Sequence, residues 1–286
     1  MENQPQNESQ RGLSNRHVQL IAIAGTIGTG LFMGAGESIN LVGPTIIFVY
    51  LIIGAFMFIL LRTIGEMLYT DTEQHSFLNF VSRYLGAKTG YFTQWTYWLV
   101  VIFMGMAELT AIGKYIAFWL PNIPMYATEL FVLLLLMGLN MLNSKFFGET
   151  EFWFGMIKVA AIVGMILTAI ILVLVHFKTS TGTVSVTNIT NNFSFFPRGT
   201  SNFFHSFQMV MFAFVGMEFI GMTAAETKDP RPTLKKAINQ IPIRILLFYI
   251  GALLAIMAIF NWRQIPAGQS PFVRSSGWLG SIGRQI

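Results

Sequence analysis

IAIAGTIGTGLFMGAG, residues 21–36, decides how the rest of the chain is read. The stretch is apolar enough for a membrane interior, yet four of the ten residues from Gly25 to Gly34 are glycine. A glycine costs a helix interior about 1 kcal/mol relative to alanine. Counted from Val18 at the membrane edge, Gly28 to Gly30 lie about 15–18 Å deep at a rise of 1.5 Å per residue. That is near the centre of a hydrocarbon core roughly 30 Å thick. A helix broken there frees backbone N–H and C=O groups that lipid cannot satisfy, which is tolerated only where they line a cavity or bind something. The N–H groups opening the second half-helix suit a carboxylate, and the carbonyls closing the first half suit an ammonium group. One broken helix could therefore hold both ends of a zwitterionic amino acid. Close helix packing is the other reading, and Gly25, Gly30 and Gly34 fit its small-residue spacing in part.

Composition supports a membrane setting. The chain is 53% hydrophobic and 11% charged, with 27 Phe and no Cys, whereas soluble domains carry roughly 25% charged residues. Disulfides and thiolate metal sites are excluded, and four scattered His form no metal-ligand cluster. The net charge of +5 is no nucleic-acid signal, because most Lys and Arg sit at span ends. The polar start MENQPQNESQ, with no cleavage site after the first apolar segment, suggests an uncleaved anchor.

Seven spans are expected: Val18–Ile39, Pro44–Tyr69, Tyr91–Trp119, Tyr126–Asn143, Phe152–His176, Phe203–Ala225 and Ile241–Phe260. Helices are the form that satisfies their backbones without water. With the N-terminus in the cytoplasm, eleven Lys and Arg fall inside and six outside, which favours that orientation. The polar stretch 178–202 reads as one long outer loop with no core pattern, and its two Asn-x-Ser/Thr matches carry no weight. The run TKDPRPTLKKA (227–237) reads as a solvated cytoplasmic loop.

The sixth span carries FAFVGMEF at 212–219, with Gly216 close to Glu218. A carboxylate within a span is a functional candidate by default. Two interrupted helices five spans apart are expected of an inverted repeat. Glu108 in the third span and Glu218 could each carry a proton or cap freed N–H groups beside a break. For Glu218 the capping role is favoured. Lys158, in the fifth span, could snorkel to the interface or stand against the broken first helix as a fixed or protonatable cation. Arg62 and Glu66 read as an interfacial ion pair, and Trp95, Trp98 and Trp119 as packing or belt residues.

These stretches resemble the amino acid permeases of the APC superfamily, in particular the bacterial D-serine/D-alanine/glycine transporter group. The matching text is LSNRHVQLIAIAGTIGTGLFMGAG (13–36), GPTIIFVYLIIG (43–54), GYFTQWTYW (90–98), FGETEFWFGMIKVAAIV (147–163), FAFVGMEFIGMTAAETKDP (212–230) and NQIPIRILLFY (239–249). The resemblance implies an all-α transmembrane, LeuT-type inverted-repeat fold, with about seven helices present of a usual twelve. It implies that Gly28, Thr29 and Gly30 bind a substrate carboxylate and that the Thr26 carbonyl helps hold the amino group. Phe212, Ala213 and Val215 would line the site, Phe212 as an aromatic gate. Lys158 matches a lysine that replaces a sodium ion in proton-coupled members, and Glu108 and Glu218 join it as coupling candidates.

The expected function is secondary transport of a small neutral amino acid, by proton symport in the cell membrane. The partners implied are that amino acid, protons and membrane lipid, with no nucleic acid and no cofactor or metal. Expected divisions are a cytoplasmic tail over 1–17, a permease domain over 18–273 and an aberrant tail over 274–286. That last stretch, polar and glycine-rich, departs from the family's eighth helix and reads as a frameshift or premature stop, leaving an inactive fragment as one alternative. A permease for another neutral or L-amino acid is a second. A seven-helix receptor or channel is a rival class, disfavoured by the inside N-terminus and the midplane glycines. Metalloprotease, nucleophile-elbow and Walker motifs are absent from the sequence, which leaves an enzyme without support.

Overall fold

A computed structural model describes residues 25–71, 74, 76–141, 144–179, 182–191, 193–219, 230–265 and 270–272. The expected tails 1–17 and 274–286, the start of the first span and residues 220–229 lie outside the described residues.

The chain is built of helices. α1 (Thr29–Phe32) and α2 (Gly34–Val42) are separated by Met33 alone, whose backbone stays helical at φ −109°, ψ −44°. A 3-10 turn, Gly43–Thr45, leads into α3 (Ile46–Thr70). Gly43 has φ +58°, and Pro44 opens the turn where its missing N–H costs nothing. Then come α4 (Phe77–Leu85), α5 (Ala87–Trp119), α6 (Met125–Asn140) and α7 (Ser144–Leu174). A two-residue hairpin, β1 (Lys178–Thr179) and β2 (Gly182–Thr183), pairs antiparallel with Lys178 opposite Thr183. α8 (Thr187–Thr190), α9 (Thr200–Phe214), α10 (Pro230–Ile259) and a 3-10 turn (Trp262–Gln264) complete the order.

α3 shows why these residues make a spanning helix. Val49, Tyr50, Ile53, Met57, Leu61, Ile64 and Leu68 recur at helical spacing and are buried. On its other face Phe48, Leu51, Ile52, Phe56 and Ile59 are exposed. The buried stripe packs against α10, which also packs on α7, while α9 lies against α2 and α3. α5 pairs with α4 and α6. Its Trp95, Trp98 and Trp119 are exposed.

Among the described residues, four stretches are long and apolar enough to cross a membrane: Gly34–Thr70, Ala87–Trp119, Phe152–Leu174 and Arg231–Ile259. Gly34–Thr70 would extend about 55 Å as one helix, and the turn at Gly43 divides it. The first and sixth expected spans do not appear as long helices among the described residues. Each is interrupted, the first at Ile27–Gly28 and the sixth at Val215–Gly216.

Two expectations are corrected. The run 227–237 is helical from Pro230, because Leu234, Ala237, Ile238 and Ile241 continue the spacing of α10 and are buried. The stretch 178–202, expected to have no core pattern, does contribute to the core. Val184 is fully buried, and Ser185 N–H donates to the Ala258 carbonyl at 3.2 Å. The Asn188 amide, part of a sequon match, donates to the Thr183 and Ala258 carbonyls at 3.1 and 3.0 Å.

Candidate functional site

The two interruptions face each other. At the first, helical geometry stops after Thr26 and restarts at Thr29, with Gly28 extended at φ −132°, ψ −156°. At the second, α9 ends at Phe214, Val215 is extended and Gly216 takes φ +96°. Only glycine takes that region without strain. A Cβ on Gly216 would lie 3.1 Å from the Gly25 carbonyl oxygen. A Cβ on Gly30 would run into the backbone of Ala213. Both readings of the glycines therefore hold at different positions: Gly28 belongs to a break and Gly30 to a close helix crossing.

The freed backbone groups have identifiable partners. On the N–H side, Glu108 reaches across from α5. Its Oε1 accepts from Thr29 N–H at 3.0 Å and from the Thr29 hydroxyl at 3.1 Å. At the other break, Gly216 N–H donates to Glu218 Oε2 at 3.0 Å, and Tyr97 of α5 donates its hydroxyl to Oε1 at 3.2 Å. On the carbonyl side one side chain serves both breaks. The Tyr249 hydroxyl of α10 lies 2.9 Å from the Thr26 oxygen and 2.6 Å from the Ala213 oxygen, its proton shared between them. Its ring packs edge-on to Tyr50 and Phe214, with centroids at 5.6 and 5.2 Å.

Thr26, Gly28, Thr29, Gly30, Glu108, Ala213, Gly216 and Glu218 are thus brought to one place where α1, α5, α9 and α10 meet. Thr26, Thr29 and Ala213 are buried. Phe212, in the last turn of α9, and Val215, just beyond it, are half-buried. Lys158 is half-buried on α7, whose main neighbour is α10. Arg62 and Glu66 form an exposed pair at 3.2 Å on α3.

Tyr249 and Tyr97 escaped the reading of the sequence. A lone tyrosine inside an apolar span was the available signal, since a buried phenol needs a hydrogen-bond partner. What no pattern reveals is that the partners are carbonyls of two other helices.

A family model described as amino acid permease matches residues 17–283. The chain is 75% identical over 272 residues to the DL-alanine permease SerP2 of Lactococcus lactis subsp. cremoris, covering 95% of this chain and 59% of that protein. It is 65% identical over 278 residues to the serine permease SerP1 of the same organism, covering 94% of this chain and 61% of that one. It is 50% identical over 264 residues to the D-serine/D-alanine/glycine transporter of Escherichia coli (strain K12), covering 92% of this chain and 56% of that one. The chain spans about three-fifths of the length of these curated relatives.

Proposed function

Because the chain belongs to the amino acid permease family, we propose that it carries a small neutral amino acid of the alanine, serine and glycine class by proton symport with alternating access. It is a multi-pass membrane protein. The observation that carries the mechanism is the meeting of two broken helices, tied on the carbonyl side by Tyr249 and capped on the N–H side by Glu108 and Glu218. Polar backbone at that depth has a use where it lines a binding cavity.

On this reading Gly28, Thr29 and Gly30 receive the substrate carboxylate, and the Thr26 carbonyl turns toward its ammonium group. Phe212, Ala213 and Val215 bound the side-chain space, which favours a small side chain. Lys158 acts as the fixed or protonatable cation beside the first helix, with Glu108 carrying the proton. Glu218 caps its break. The permease domain runs over 18–273, between tails at 1–17 and 274–286, with the N-terminus in the cytoplasm of a cell whose plasma membrane it crosses. The names of the relatives support the substrate class, being given for alanine, for serine, and for D-serine, D-alanine and glycine.

The test is uptake of labelled glycine, serine and both enantiomers of alanine into cells lacking their own carriers. The chain as it stands is expressed beside one extended to the length of its relatives, at acidic and neutral external pH. Accumulation that is faster at acidic pH, by either version, is the expected result. If both versions reach the membrane and neither moves any of these amino acids, the substrate class is wrong.

A further inference from the structure

Thr29 presents two donors to one point, and a carboxylate oxygen of the protein already occupies it. The point lies beside Gly28, where a Cβ would stand 2.5 Å from Glu108 Oε1. Any side chain at residue 28 would push Glu108 out, so the missing Cβ is what lets a carboxylate reach these donors. Thr29 is 7% exposed, so bulk water is a poor substitute partner there. The donors that would take a substrate's carboxylate are therefore the same ones that Glu108 engages.

The two break-capping carboxylates differ in a way that matters. Glu218 caps Gly216 from two residues away on the same stretch of chain, and Tyr97 holds its other oxygen. Glu108 comes from a different helix, 79 residues on from Thr29, and both of its bonds here go to that one residue. Among the described residues no lysine or arginine forms an ion pair with it. Two ionised carboxylates cannot share one pair of donors, since like charges at such distance drive one of them to bind a proton.

We propose, building on the reading that Gly28 to Gly30 receive the substrate, that Glu108 is the internal placeholder for the substrate's carboxylate. Amino acid and Glu108 compete for the Thr29 donors. The amino acid enters as Glu108 takes a proton from the aqueous cavity and withdraws. One proton is taken up for each carboxylate bound, so coupling arises from competition at the binding site itself. The sign follows: because binding takes up a proton, substrate affinity falls as pH rises.

The experiment is binding of alanine to the purified protein across a pH series, with proton uptake read by calorimetry in buffers of different ionisation heat. The wild type should take up about one proton per alanine, its apparent Kd rising up to about tenfold per pH unit at the alkaline end. Glu108→Gln should bind alanine with a flat pH profile and no proton uptake. Alaninol, which lacks the carboxylate, has no need to displace Glu108 and should bind the wild type without proton uptake. Because this last arm needs no variant, it decides the matter even if Glu108→Gln does not fold. The proposal is overturned if Glu108→Gln keeps the wild-type pH slope, or if alaninol brings in the same proton as alanine. If the wild type binds neither alanine nor glycine at any pH, the transporter reading itself has failed.

Discussion

Tyr249 shows how much one hydroxyl can hold. Its oxygen meets the carbonyls of Thr26 and Ala213, both freed where helices stop. Leaving a buried polar group without a partner costs about 1–3 kcal/mol. Tyr249→Phe keeps the ring among Tyr50 and Phe214 and removes only that link. It should lower stability by about 1–3 kcal/mol and loosen the register of the two breaks, and with it substrate affinity. Thermal unfolding in detergent with and without alanine reads both effects. A variant that matches the wild type in each would show that the hydroxyl is not what joins the breaks. The sequence marked Gly28, Thr29 and Glu108 individually, through glycine density and a carboxylate in an apolar span. It did not pair Glu108 with Thr29, because helical periodicity orders residues along one element and says nothing of which neighbour that element meets.

Among the elements, α3 and α10 form the main packed pair, and two glycines set their approach. A Cβ on Gly54 would lie 2.7 Å from Leu246 Cδ1, and one on Gly65 would lie 2.5 Å from Ile238 Cδ1. At Gly54 the neighbour is the end of a leucine that can turn aside, but at Gly65 Ile238 Cγ2 also stands at 2.6 Å, on a β-branched side chain held stiff in a helix. Gly54→Ala should therefore be tolerated, while Gly65→Ala forces Ile238 to shift and should cost about 1–3 kcal/mol. Comparing the melting of the two variants checks this, and equal melting would mean the helices are not held that close. At this scale the sequence was most legible where a helix is long and uniformly apolar, as in α3, α5 and α7. Its limit appears at the ends. α10 begins eleven residues before the expected Ile241 because a charged first turn hides the buried residues at Leu234 and Ala237. The stretch 178–202 hid Val184 in the same way, since one buried residue makes no pattern.

For the molecule as a whole, the largest claim that follows from charge is orientation. No cysteine is present, so a single introduced one labels without background. Thr183, on the β1–β2 hairpin, and Lys88, at the start of α5, are both exposed. With the N-terminus inside, Thr183→Cys should react with a membrane-impermeant maleimide in intact cells, and Lys88→Cys only after the membrane is opened. The reverse pattern would invert the topology. The outward Trp95 and Trp98, with Phe131 and Leu134 of α6, give the molecule an apolar flank suited to lipid.

Solvent class, helical architecture and the density of glycines in the first span belong to the sequence alone, because they depend on composition and spacing along one chain. Membership of the permease family was also legible there, in motifs around Gly28 and Gly216. Tertiary structure alone decided that the two breaks abut, that Ala213 sits where Gly30 lacks a side chain, and that one tyrosine clasps both carbonyl ends. It alone put a carboxylate on Thr29. The reason is that hydrogen bonds are satisfied by whatever lies within about 3 Å in space, and residues 29, 108, 213 and 249 become neighbours only when four helices have packed.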